Sequence, residues 1–524
     1  MSQVEWSGST LARIAQMCRG FPDRVALETD EGRWTYAELD AHTDSLAGAV
    51  CREGIEPADR VALLLGNSSA FVLAYLAILR AGGVVVAVNP TTPLPTVATT
   101  LQDCTPTAIF VEPRHRPLLA DLASQVPTLR HACIAQSHEA PLRQGSIRLV
   151  GMDTLLHGPR TSEPFALPDA QTLAAIAYTS GTTGTPKGVM LSHGNMAAIA
   201  AAGQALLAIS PGDRIGVINP MFHLYGTREI DTTLSAGASL VLPGHLRFPA
   251  RVLEQFQAAA VTGLSAVPSG LGVMCDRYRP QLAACADHLR YLAIGTALAP
   301  KPLLQHLRTL LPRTRLIVTY GLTEASRVCW REVVDPESDI SEGWVGRPYP
   351  GVEIHLVEGE GSMGRVAVRS GLVMQGYWNR SEATRAVLGD DGTLLTPDLG
   401  QLDDTGNLRL LGRIDEVINC GGEKVSPEEV EGVLSRHPAV GAVAVIGAPD
   451  PAGILGEVVR AVVVRRPGEE VTGQELMQFA ATVLEPYKVP RLIDFAEHLP
   501  RAVLGKMQRT RLRPSPGPGE GVDT

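Results

Sequence analysis

The sequence predicts an α/β protein: a large N-terminal domain of parallel-rich sheets covered by helices, then a small α+β C-terminal domain. Three observations point there. At 524 residues the chain is too long for one hydrophobic core, so two or more domains are expected. Short runs of Val, Ile, Leu and Ala alternate with helical patterns over most of its length. Near residue 415 that texture stops, and short strands, a Gly-Gly turn and a capped helix replace it.

The runs at 61–65 (VALLL), 84–88 (VVVAV), 108–111 (AIFV), 215–218 (IGVI) and 316–319 (LIVT) carry no charge. Unbroken apolar runs of that length suit strands buried on both faces, which means parallel strands with helices over them. Between the first two, residues 71–82 predict a helix that stops at Gly82-Gly83, where the last turn closes without a Cβ clash. Beyond residue 415, Ser426 is an N-cap, Pro427 takes the first helical position and Glu429 completes a capping box. Strands at 440–446 and 458–464 follow. A boundary near Asp415 divides the chain into residues 1–414 and 415–512, and the Pro/Gly-rich stretch 513–524, with nothing to bury, is expected to be a disordered tail.

Composition narrows the function classes. A net charge of −9 gives no electrostatic case for nucleic acid or an anionic membrane. The eight cysteines are scattered without a Cys-x-x-Cys or Cys/His cluster, which predicts reduced thiols in a cytoplasmic protein and no zinc site. The start, MSQVEW, has neither a basic region nor an apolar core, so no signal peptide is expected. The most apolar window, 196–209, is short and contains Gly203 and Gln204, so no membrane span is expected either.

The chemistry concentrates in residues 178–188 (YTSGTTGTPKG), directly after the apolar run 173–177. A strand there feeds a loop dense in hydroxyls and backbone N–H groups, with one cation, Lys187, at its far end. Such a loop can wrap a polyphosphate. It is not a Walker loop, which ends in Gly-Lys-Ser/Thr; here Pro186 precedes Lys187 and Gly188 follows. That order, with no Walker aspartate, weighs against a kinase or P-loop ATPase.

The segment closely resembles the phosphate loop of the adenylate-forming enzymes: acyl-CoA synthetases, adenylation domains of peptide synthetases and luciferases. Nine further stretches fall in that family's order: WTYAEL (34–39), NPMFHLYG (219–226), IGTA (294–297), YGLTEAS (320–326), QGYW (375–378), TPDLG (396–400), GRIDEVIN (412–419), CGGEKVSP (420–427) and LPRAVLGK (499–506). The resemblance covers residues from about 20 to 512 and implies a smaller β subdomain in the large domain and a mobile small domain. It implies ATP and Mg²⁺, held by Thr179, Ser180, Gly181, Thr182, Thr183, Gly184, Thr185 and Lys187 around the phosphates. Gly295, Thr296 and Ala297 would lie against adenine, although the usual Gly-Ala-Pro is altered. Tyr320 would stack on adenine beside Gly321, Thr323 would touch the α-phosphate, and Asp398 and Arg413 would bind ribose. Glu324, with Thr179, would hold the metal; carboxylate oxygen suits that hard cation. Lys506 would complete the adenylation site, and Lys506, Thr179, Glu324 and Lys187 are the implied catalytic set. Asp415 would be the hinge, and Gly421 and Gly422 the thiol site where a phosphopantetheine arm, of CoA or a carrier protein, passes the backbone.

The carboxylic acid is narrowed by the helix after the histidine motif. The resemblance puts Phe222, His223 and Gly295 in the acyl pocket, with Arg327 or Arg331 as further candidates. Peptide-synthetase domains place an aspartate at the position of His223 to hold an α-ammonium, so a normal α-amino acid is disfavoured. At 100° per residue Ile230 and Leu234 define the inward face, Asp231 sits at its margin and Glu229 points away. Asp231 is then either a counter-ion for a substrate amine or half of a solvated Arg228–Asp231 pair. The first choice resembles the stand-alone β-amino acid adenylation enzymes that prime macrolactam polyketides and load an acyl carrier protein. The alternative is an acyl- or aryl-CoA synthetase.

Overall fold

The computed structural model describes residues 8–159, 165–179, 186–244, 248–335, 343–360, 362–414, 416–420, 423–451, 457–501 and 507–512. Two large sheets dominate. In the first, Arg60–Leu64 lies between the parallel strands Val84–Ala87 and Ala108–Val111, and Leu173–Thr179 runs parallel beside Val84–Ala87. The second is centred on the parallel strands Arg214–Val217, Gly263–Ala266, Tyr291–Ile294 and Arg315–Tyr320. These are the apolar runs of the sequence, and they pair in parallel because both faces are covered by helices. Beyond Arg315–Tyr320 the second sheet turns antiparallel through Cys329–Val333, Trp344–Pro348 and Leu408–Arg413 to Leu394–Leu402. The smaller β unit is thus continuous with the main sheet.

From Ile418 onward the described strands form sheets of their own. These are the hairpin Ile418–Cys420/Glu423–Val425 and a three-stranded sheet of Val440–Pro449, Glu457–Arg465 and Leu492–Phe495. Their core draws on Val430, Leu434, Val445, Val463 and Leu476 and shares no residue with the large clusters. The cap at Ser426 forms by half. Ser426 accepts from the Glu429 N–H, but Glu429 Oε1 binds Lys488 at 3.0 Å and the Ser426 hydroxyl donates to Glu428. A charged partner outcompetes the reciprocal arm of the expected capping box. The tail at 513–524 and the pivot Asp415 lie outside the described residues.

Helix Leu224–Leu234 carries the histidine motif into the core, and every residue from Tyr225 to Leu234 is buried. Its far end is pinned by Tyr36, fully buried, whose hydroxyl reaches the carbonyls of Leu234 and Ala238 at 3.1 and 2.7 Å. Tyr36→Phe removes that donor from both carbonyls; the Leu234 carbonyl keeps the Gly237 N–H at 3.1 Å, whereas the Ala238 carbonyl loses its 2.7 Å bond. We expect a loss of about 1–3 kcal/mol in urea unfolding of the large domain with an unchanged m value; wild-type stability would show that the hydroxyl does not hold the helix.

Candidate active site

Strands Leu173–Thr179 and Lys187–Ser192 run antiparallel with Thr179 opposite Lys187, so they form the two stems of the hydroxyl-rich loop. Ser180, Gly181, Thr182, Thr183, Gly184 and Thr185 lie outside the described residues. At the base, the Thr179 hydroxyl donates to the Lys187 carbonyl at 3.4 Å. The Lys187 ammonium sits 5.2 Å from the Tyr377 ring centroid, and the Tyr377 hydroxyl donates to Glu324 Oε1 at 2.8 Å. Sheet pairing fixes this meeting, because Gly376–Tyr377 pairs with Lys187–Ser192 and the Met374 N–H donates to the Glu324 carbonyl at 2.8 Å. Burial and the Glu324 carboxylate push the Tyr377 pKa upward, so its hydroxyl stays a donor.

The second half lies at the carboxyl end of Arg315–Tyr320, where ligands bind in open α/β sheets. Tyr320 donates to Asp398 Oδ2 at 2.5 Å, and Asp398 stands opposite Arg413 on the neighbouring strand. The turn at 321–326, which carries half-buried Thr323 and Glu324, closes so tightly that a Cβ on Gly321 would meet the Ser326 carbonyl at 1.8 Å. A Cβ on Gly295 would meet the Thr319 hydroxyl at 2.5 Å, so a bare backbone is required there too. Thr296 holds φ at 72° with a buried, unpartnered hydroxyl, while Ala297 is exposed. A left-handed β-branched residue beside a strand end is strain of the kind that collects at functional sites.

Beside this cleft an apolar cavity runs between the first sheet and helix Leu224–Leu234, walled by Ala177 and Ile199 and lined by Phe222, Tyr75, Arg228 and Asp231. His223 caps the helix, its ring 4.8 Å from that of Phe222, and burial lowers its pKa to about 4, so the imidazole is neutral. Asp231, 3% exposed, accepts from the Tyr75 hydroxyl at 2.5 Å on Oδ2. Burial pushes its pKa up to about 6 against the lowering effect of the Tyr75 and Thr10 hydroxyls.

The matching family is that of the AMP-binding enzymes, over residues 14–378, with the AMP-binding enzyme C-terminal domain over 429–506. The chain belongs to the AMP-binding enzyme family. Among relatives it is 32% identical to the 3-[(3aS,4S,7aS)-7a-methyl-1,5-dioxo-octahydro-1H-inden-4-yl]propanoyl:CoA ligase of Mycobacterium tuberculosis, over 96% of this chain and 98% of that one. It is also 32% identical to the indoleacetate–CoA ligase of Aromatoleum aromaticum, over 94% and 95%. The crystal structure of ATP-bound MatB from Rhodopseudomonas palustris superposes with a TM-score of 0.85 at 28% identity, covering 97% of this chain and 98% of that one. This AMP-binding enzyme is an ATP-dependent acid–thiol ligase that forms AMP.

The described residues of this AMP-binding enzyme fit a magnesium nucleotide. The orphan Thr296 hydroxyl offers a donor, and Asp398 offers a carboxylate to a diol. Among the described residues no three His, Cys, Asp or Glu side chains cluster as a metal cage. Mg²⁺ takes most of its ligands from phosphates and water, so a site without a protein cage is compatible with it. No helix among the described residues is long and apolar enough to cross a membrane.

Several expectations shift. Helix Leu224–Leu234 has no solvated face, so the solvent-exposed Arg228–Asp231 pair does not exist. Glu229 does not point to water. It is 1% exposed, accepts from Ser265 at 3.3 Å, and lies 3.7 and 3.8 Å from the Arg228 and Arg327 guanidinium groups. Arg327 is the buried arginine of the Tyr320 motif. Arg331 is not brought to the cavity: its strand retreats antiparallel from the sheet end, placing it opposite Val318 in a separate groove with Trp330 and Arg347. Tyr75 and Tyr377 were missed; a phenol hydroxyl in the middle of the apolar helix Ser69–Arg80 was the available sign that Tyr75 has a polar partner.

The raised pKa of Asp231 makes a test. Below about pH 4 the group is protonated folded or unfolded. Between its ordinary value of 3.8 and about 6 only the unfolded chain ionises, so stability falls as pH rises through that window. Asp231→Asn should abolish the fall, gaining about 3 kcal/mol on wild type between pH 4 and 7 in urea unfolding. Parallel pH curves for the two proteins would contradict the burial of this carboxyl.

Proposed function

We propose that the protein activates a carboxylic acid as its acyl-adenylate and passes the acyl group to the thiol of coenzyme A. The observation that carries this is the convergence of Thr179, Lys187 and Glu324 through Tyr377, beside both the Tyr320–Asp398 pair and an apolar cavity. A carboxylate alone is a poor acyl donor, because its leaving group would be oxide. Attack on the α-phosphate of ATP makes a mixed anhydride and releases pyrophosphate. Negative charge gathers at a five-coordinate phosphorus, so donors and cations must converge there. Lys187 and the loop 180–185 hold the β- and γ-phosphates, Thr323 contacts the α-phosphate, and Tyr320, Gly295, Thr296, Ala297, Asp398 and Arg413 hold the nucleoside. Glu324 and Thr179 would hold Mg²⁺, which would supply positive charge at phosphate oxygens.

Lys506, Gly421 and Gly422 lie outside the described residues and enter this scheme through the family motifs. Lys506 neutralises charge between carboxylate and α-phosphate, and the Gly421-Gly422 backbone lets the phosphopantetheine arm pass. We place the domain boundary at Asp415, with residues 1–414 on one side and 415–512 on the other. Rotation there exchanges Lys506 for the Gly-Gly turn once the adenylate has formed, which denies it to water.

The relatives named as CoA ligases favour CoA over a carrier protein. One observation keeps an amino-bearing substrate as a second reading: Asp231 places a buried carboxylate in the wall of a mainly apolar cavity that also holds Tyr75 and Arg228, which suits a substrate ammonium one carbon beyond the α-position. A pyrophosphate-exchange screen over fatty, aryl, α-amino and β-amino acids tests both. Exchange driven by fatty or aryl acids supports the CoA ligase, exchange confined to β-amino acids moves the assignment to the second reading, and exchange with no acid contradicts adenylation. Lys506→Ala should lower exchange by about a hundred- to a thousandfold while ATP still binds. If a β-amino acid is the substrate, Asp231→Asn should cost about 3–5 kcal/mol on it and spare the des-amino acid.

A further inference from the structure

Three residues past Lys506, Arg509 reaches back into the small domain and meets three glutamates. Its guanidinium pairs with Glu416, with Glu428 at 3.0 Å, and with Glu431 through Nη2 at 2.8 Å and Nε at 3.2 Å. All four side chains are at most 20% exposed. Glu416 directly follows the hinge residue, and Glu428 and Glu431 lie on helix Pro427–Leu434, just beyond the Gly421-Gly422 turn. Glu428 also faces the large domain, where a Cβ on Gly412 would come within 2.7 Å of its carboxylate. Glu431 has a second partner, the Val445 N–H at 2.7 Å.

The attachments of the two sides are unequal. Helix Pro427–Leu434 buries Val430, Val433 and Leu434 in the small-domain core. Residues 507–512 have lighter described attachments: Arg509 itself, an isolated bridge between Arg501 and Met507, the Gln508 N–H donating to the Pro500 carbonyl at 2.9 Å, and the approach of the 509–511 turn to strand Val440–Pro449. Removing the guanidinium therefore loosens the base of the segment bearing Lys506, while the helix after the Gly-Gly turn keeps its packing. We propose that Arg509 is a positioning residue for adenylation, fixing the Lys506 segment to the hinge and to helix Pro427–Leu434. This rests on the role given to Lys506 above. Misplacing a catalytic cation by about 1 Å costs on the order of a hundredfold in rate.

The test separates the half-reactions in the full-length enzyme: pyrophosphate exchange with the best acid of the screen, and thiolation by CoA of that acid's chemically prepared adenylate. Arg509→Ala should lower kcat of exchange by about a hundredfold with little change in KM for ATP, and should change thiolation by less than about threefold. Arg509→Lys should recover part of the exchange. Because Arg509→Ala leaves three carboxylates together, Arg509→Ala/Glu431→Gln serves as the folding control: it should regain thermal stability without regaining exchange. Parallel loss of both half-reactions, or exchange that returns with stability, would overturn the proposal. Normal exchange in Lys506→Ala would sink the role of Lys506 itself; a dead Lys506→Ala beside a fully active Arg509→Ala would sink only the inference about Arg509.

Discussion

Charge buried without water governs the centre of this molecule. Helix Leu224–Leu234 is enclosed on every side yet carries Arg228, Glu229 and Asp231. Each ion taken out of water costs several kcal/mol unless partners meet it. Glu229 is met by Ser265, Arg228 and Arg327, and Arg228 lies over the Tyr225 ring at 4.2 Å and reaches Ser326. Burial and the nearby Arg327 charge lower the Arg228 pKa to about 10, which still leaves it charged at neutral pH. Arg327 in turn fits only because Gly203 stands opposite, where a Cβ would come within 2.7 Å of its guanidinium. The helix that lines the apolar cavity and the turn that presents Glu324 are thereby held in one register.

The site is assembled from pieces that meet only through sheet topology. Thr179 and Lys187 come from one sheet and Tyr320 from the other, and Gly376–Tyr377 crosses between them by pairing with Lys187–Ser192. Tyr377 is the joint: ring under the ammonium, hydroxyl on the carboxylate. Chemistry that develops negative charge on phosphorus needs this kind of pre-set convergence, since donors that had to reorganise during the reaction would contribute less.

The class of fold was readable because parallel strands buried on both faces leave a plain mark, and 61–65, 84–88 and 316–319 carry it. Glycine at 295 and 321 stood out in the sequence through the family motifs, and the structure supplies the reason for it, contacts with Thr319 and Ser326 that no Cβ survives. Orientation around a fully enclosed helix was not. Helical periodicity assigns one face to the core and one to water, and Glu229 was sent outward on a helix that has no outward face. Asp231 escaped the same fate only because it sat at the margin of the assumed face. Arg331 and Glu429 misled for a different reason: their positions depend on an antiparallel strand turning away and on Lys488 arriving from 59 residues later.

The central claim is that a carboxylate oxygen of the substrate becomes bonded to the α-phosphorus of ATP. The most direct measurement is the fate of that oxygen, followed by mass spectrometry of the products after turnover of an ¹⁸O-carboxyl-labelled acid with ATP and CoA. The account predicts one labelled oxygen in each AMP released and none in pyrophosphate. Label in inorganic phosphate with ADP as the nucleotide product, or unlabelled AMP, would contradict it.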